Sequence, residues 1–211
     1  MRLLIIAAGL ALSACASAVY DSLERRGVDS AIILAERTSD LHTDISEVQA
    51  ALTKAGSALS AIEGKDGAPL ARALDQARAA GQEAALGVQD VRLSSDSMKA
   101  ASARYFTDQE RDLGLMKTSE ENYRAAEKKL AAARDAYRVF ASTLDGASLR
   151  LSPAISLYDT EIAALRKNPT SAVAASARAS SRAATIAATS DAAASLDAAA
   201  VAADRFLAAL K

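Results

Sequence analysis

The residue whose neighbours most clearly set its chemistry is Cys15, the only cysteine in the chain. It follows Leu12, Ser13 and Ala14, at the end of an uncharged apolar stretch from Leu3 to Leu12 with Arg2 in front of it. A short basic segment, an apolar run and small residues before a cleavage point are the parts of a secretory signal. A cysteine directly after Leu-Ser-Ala makes the pattern a bacterial lipobox. Leu12, Ser13 and Ala14 are then the signal-peptidase recognition residues, residues 1–14 are removed, and the Cys15 thiol takes lipid at the new N-terminus. The apolar run is far shorter than the ~20 residues a spanning helix needs. Each buried acyl CH₂ contributes roughly 0.8 kcal/mol and a single chain holds only marginally. Lipobox cysteines carry several chains, so the anchor is expected to be permanent. Ala16 and Ser17 follow Cys15. An aspartate at that place retains a protein at the inner membrane. Its absence favours the periplasmic face of the outer membrane in a Gram-negative host.

Other chemistry is sparse downstream. His42 is the only histidine. Without a second imidazole or a free thiolate it lacks the usual ligands of a zinc site, and it reads as a half-exposed helix residue. No Gly-x-Ser-x-Gly marks a nucleophilic serine. Gly64-Lys65 lacks the upstream glycine of a phosphate loop and reads as a turn lysine. The carboxylates stand singly among polar positions, without the pairing that acid–base catalysis needs. The expectation is a protein that is not an enzyme and holds no cofactor or metal. The chain has 25 basic and 26 acidic residues, which argues against a nucleic-acid partner.

With Cys15 given to lipid, no disulfide can form within the chain, so stability must come from packing. Tryptophan is absent, proline and glycine are scarce and alanine is abundant. Alanine has the best intrinsic helix propensity, and this composition points to long, closely packed helices. Leu34, Thr38, Leu41, Ile45, Val48, Leu52, Ala55, Leu59 and Ile62 alternate spacings of four and three, an a/d heptad seam. It predicts a first helix over about 20–63. Gly64 to Pro69 breaks the pattern. A second seam through Leu70, Leu74, Ala77, Gly81, Ala84, Val88, Val91, Ser95, Met98, Ser102 and Tyr105 predicts a helix over about 69–107. A third runs through Ser119, Tyr123, Ala126, Leu130, Ala133, Tyr137, Phe140, Leu144, Ala147 and Leu151, and on through Ile155, Tyr158, Ile162 and Leu165. It predicts a helix over about 115–166, kinked or briefly broken between Ala147 and Pro153, because an interior proline costs about 3 kcal/mol or more. Asn168-Pro169 suits an N-cap followed by the first helical residue. The last helix, over about 169–210, would use Ile186, Thr189, Ala193, Leu196, Ala200, Ala203, Leu207 and Leu210.

The fold expected is all-α: an elongated antiparallel bundle of about four long heptad-patterned helices, residues 15–211 forming one domain. Tyr105, Tyr123, Tyr137, Phe140 and Tyr158 recur at seam spacing as core or groove-lining residues. A wall of small residues facing them on helix 2 or 4 could leave a groove.

Tyr20, Glu24 and Gly27 behind the lipobox, leading to Ile33-Leu34 and Arg37, resemble the start of a family of bacterial lipoproteins catalogued as a domain of unknown function. Further similarity runs through Glu83-Ala84-Ala85, through Leu130, Arg134 and Tyr137, and through Pro153, Leu157 and Leu165-Arg166-Lys167-Asn168. The sequence departs from that family at Ser30-Ala31-Ile32, where basic residues and an aspartate are usual, and carries alanine over much of the helix surface. The resemblance implies helical architecture and envelope location, and brings no activity with it. The expected role is non-enzymatic: a membrane-tethered helical body contacting an envelope protein or itself. The alternative is a binding module for a lipid or other apolar ligand between helices.

Overall fold

In a computed structural model of the chain, which describes residues 28–116 and 120–211, five helices follow one another: α1 Ser30–Ser60, α2 Gly67–Leu115, α3 Glu120–Leu165, α4 Ala172–Ser176 and α5 Ala179–Leu210. The described residues form no strand. The signal segment, Cys15 and the expected helix start near Tyr20 lie outside them.

Local chemistry sets most helix ends. Asp29 is extended and its side chain accepts from the Ala31 amide at 2.8 Å, so α1 begins at Ser30. The expected helix therefore does not include Val28 and Asp29. Between α1 and α2, Gly64 and Gly67 adopt φ of 69° and 57°, values that cost glycine little. Asp66 caps α2 by accepting from the Gly67 amide at 2.9 Å, and the same oxygen accepts from the Ala172 amide at 3.0 Å. One carboxylate thus fastens two interhelical turns. Pro69 is the third residue of α2, where its missing N–H is one the helix leaves unpaired in any case.

Two sequence-based boundaries are corrected, and the brief break allowed for near Pro153 is absent. The second helix does not end near Thr107 but runs to Leu115. The Thr107 hydroxyl donates to the Ala103 carbonyl, Arg111 pairs with Asp108 at 3.3 Å, and Glu110 pairs with Arg134 of α3. No break occurs around Pro153, which lies inside an uninterrupted α3. The bond proline cannot donate would have reached the Leu149 carbonyl one turn back. Both residues are exposed, so water can take its place. Asn168-Pro169 does not start the last helix. Ser171 caps the short α4 by accepting from the Ala174 amide, and α5 begins only at Ala179. Arg182 repairs the break between them: its buried guanidinium donates to the Ala175 carbonyl at 3.0 Å.

Cross-helix partners fix the topology. Between α1 and α2, Lys54 meets Glu83 and Asp44 meets Ser94. Between α2 and α3, Lys99 meets Asp145 and Arg92 meets Ser152. Between α1 and α5, Gln49 meets Asp197 and His42 meets Asp204. On the α3–α5 side, Lys129 meets the carbonyl of Lys211, and Glu161 meets Arg178 just ahead of α5. In every pair one number rises as the other falls, so α1, α2, α3 and α5 form a ring of antiparallel neighbours. α2, at 49 residues, is about 74 Å long.

The seam of α1 is buried throughout, from Leu34 to Ile62. In α2 only Val88 of the expected seam is half-exposed. In α5 the buried line is Thr185, Thr189, Ala192, Leu196, Ala199, Ala203, Phe206 and Leu210. The expected Leu207 and Ala200 are half-exposed, and Phe206 holds the core position instead. Phe206 stacks on Tyr137 and Phe140 at centroid distances of 5.5 and 6.1 Å, and Phe106 bridges Tyr137 to Tyr105.

Candidate interaction surface

The residues first singled out for chemistry are not gathered by the fold. Leu12, Ser13, Ala14 and Cys15 lie outside the described residues. His42 is a partly exposed residue of α1 whose Nε2 lies 3.5 Å from Oδ1 of Asp204. Lys65 sits in the α1–α2 turn. Among the described residues no group of His, Cys, Asp and Glu could hold a metal ion. No helix among them is long and apolar enough to cross a membrane.

Two buried polar features escaped the sequence reading. Tyr158 packs its ring against Gly81 of α2, where a Cβ would come within 2.4 Å of it. Its hydroxyl donates to the Ala77 carbonyl at 2.7 Å, with the Ala55 carbonyl at 3.1 Å as the other acceptor. α1, α2 and α3 are thereby joined at one atom. Burial, with the Asp159 charge nearby, pushes this phenol well above its usual range. The small wall at Gly81 therefore leaves no groove: Tyr158 fills it. Glu161 is 1 % exposed and accepts from Arg178 Nε and Nη2 and from the Ser181 hydroxyl at 2.6 Å. These bonds raise the Arg178 pKa further. Glu161 falls one residue before the seam position Ile162, so the heptad gave no reason to bury it.

The open part of the bundle is its α2–α3 side. These are the two longest helices, yet they touch each other least of the four neighbouring pairs. Between them runs a groove whose larger section encloses about 580 Å³, walled by Val88, Leu93 and Ile155 and by the polar Arg92, Ser156 and Asp159. A smaller section of about 160 Å³ continues it toward Lys99 and Asp145. Large apolar side chains stand exposed on the same two helices: Leu86 and Leu93 on α2, and Val139, Leu149 and Leu157 on α3. Leu86 is 64 % and Leu149 79 % exposed. Of these, Leu93 lines the groove and the others face outward along the same two helices, an exposed apolar surface of the kind that marks interaction sites.

The fold and this surface define an elongated antiparallel helical bundle with one open side. A family model described as a protein of unknown function (DUF2959) matches residues 19–210, and the chain belongs to that family. No curated protein and no solved structure matches the chain.

Proposed function

We propose that this chain is a lipid-anchored, non-enzymatic protein of a bacterial cell envelope that works by protein contact. Lipid on Cys15 holds one end, and the bundle carries its α2–α3 side for a length of about 74 Å. The observation that carries the reading is the groove between α2 and α3 together with the exposed leucines on both helices, in a chain whose sequence carries a lipobox pattern. The mixed polar lining of the groove suits a protein surface better than an acyl chain.

The test is fractionation combined with in-cell crosslinking of the full chain, beside Cys15→Ala and Leu149→Asp versions. The unsubstituted chain is expected in the membrane fraction, released only by detergent, and Cys15→Ala in the soluble fraction. A crosslinked protein is expected with the unsubstituted chain and should be lost with Leu149→Asp. Recovery of the unsubstituted chain in the soluble fraction would remove the anchor from the reading. Recovery of a small apolar molecule in place of any protein would replace contact with ligand binding.

A further inference from the structure

α3 bears two seams on opposite faces. Phe140, Leu144, Ala147, Leu151, Ala154 and Tyr158 are buried in the core. On the outside, Val139, Ser142, Gly146, Leu149, Pro153, Ser156 and Thr160 keep the same alternation of three and four. All seven are exposed and none is charged. An outward helix face over about six turns normally carries charge, and α3 places Arg138 and Asp159 beside this line, with Asp135, the next residue of the same alternation, bounding it before Val139.

Gly146 is the second observation. Its φ is not positive, and a Cβ built on it meets nothing within 4 Å. Neither backbone strain nor internal packing asks for glycine, although glycine inside a helix is about 0.8–1.0 kcal/mol worse than alanine. Glycine on a helix surface does allow another backbone to come close.

The flanking charges select the occupant. With Val139, Gly146, Pro153 and Thr160 at a, and Ser142, Leu149 and Ser156 at d, Asp145 is a g residue and Arg150 the following e residue. In a parallel pair of helices, g of one faces the next e of the other. Asp145 would face Arg150 of a second copy, and the twofold axis repeats the pair. An antiparallel pair sets e against e and g against g, and cannot join these two. Arg150 has no ion-pair partner among the described residues. Asp145 holds Lys99 at 2.7 Å in an exposed pair, of a kind that contributes little in water.

We infer that a second copy of this chain docks in parallel along the outer face of α3. The inference rests on the contact function proposed above, and names the partner. Anchoring by Cys15 would hold copies on one membrane in a common orientation and raise their effective concentration.

Cysteine pairing in the full, membrane-bound chain tests it. Ser142→Cys, Leu149→Cys and Ser156→Cys each place a thiol at d, where a parallel axis brings it opposite its own counterpart within disulfide reach. Under mild oxidation all three are expected to give a reducible dimer, while Ser190→Cys, on the exposed face of α5, is not. A dimer at only one of the three positions would mean antiparallel pairing, and at none would mean a different occupant. Either result overturns the inference. The unsubstituted chain run alongside reports Cys15 itself: a dimer there reveals an unlipidated thiol and counts against anchoring, while the three-position pattern still reads the pairing. Arg150→Asp should cut the Leu149→Cys dimer severalfold, and adding Asp145→Arg should restore it. Thermal unfolding of each variant confirms that the exposed substitutions leave the bundle folded.

Discussion

Replacing Gly81 with alanine places a methyl carbon 2.4 Å from Cε1 and 2.6 Å from Cδ1 of Tyr158. The ring cannot retreat freely, because it is 1 % exposed and its hydroxyl is held at 2.7 Å by the Ala77 carbonyl. Alanine in a helix interior is worth about 1 kcal/mol over glycine. Against that stand about 1–3 kcal/mol for overpacking a filled core and about 1 kcal/mol if the ring's shift breaks the hydroxyl bond. The net expectation is a loss of about 1–3 kcal/mol. For a chain of this size that lowers the melting temperature by roughly 2–12 °C, readable by circular dichroism on dilute protein. Gly146→Ala is the internal control. It gains the helix term with nothing to strike, and should raise the melting temperature slightly. Adding Tyr158→Leu to Gly81→Ala should recover part of the loss, with a coupling of about 0.5–3 kcal/mol. A Gly81→Ala protein as stable as the Gly146→Ala protein would refute the close packing of α2 on α3.

Three further outcomes follow from the same core. Burial raises the phenol pKa of both Tyr158 and Tyr105 above the ordinary 10.0. The unfolded chain therefore releases these protons first, so their contribution to stability is complete below about pH 10 and declines above it. Melting temperatures should fall through that alkaline range, less steeply in Tyr158→Phe. Arg178→Ala leaves the buried Glu161 carboxylate with only Ser181 and should lose about 3–5 kcal/mol. Glu161→Ala leaves an arginine whose side chain is 34 % exposed and can turn to water, so its loss should be smaller, roughly 1–3 kcal/mol. Equal shifts in denaturant midpoint would contradict the asymmetry. Asp66→Ala removes the shared acceptor of the Gly67 and Ala172 amides, and calorimetry should show a loss of about 1–2 kcal/mol.

The legibility of the fold followed the contrast between side chains. In α1, leucine, isoleucine and valine alternate with charges, and the whole seam from Leu34 to Ile62 reads correctly. In α5 alanine occupies inner and outer faces alike, so the pattern is shallow and the reading slipped from Phe206 to Leu207. The boundary at Thr107 failed, and no break opened at Pro153, because propensity is a local preference, and packing along two full-length neighbours outweighed it. The break before Ala179 was invisible because it depends on Arg178 and Arg182 reaching partners at Glu161 and Ala175. The outer line on α3 has the same spacing as the inner one, and only burial distinguishes them. Sequence also gave no sign that α2 and α3 would stand apart.

The antiparallel ring has a mechanical consequence. The start of α1 and the end of α5 lie at the same end of the bundle, as the antiparallel register through Gln49–Asp197 and His42–Asp204 shows. A load applied between the two ends of the described bundle would act at one end of the α1–α5 seam. It would peel those helices apart turn by turn from that end, rather than shear the whole seam at once. Held at its N-terminus and pulled at its C-terminus, the bundle is built to open like a zip at low force. A load applied between the N-terminus and the opposite end, at the Asp66 turn, would run along the rod and meet the full length of its packing.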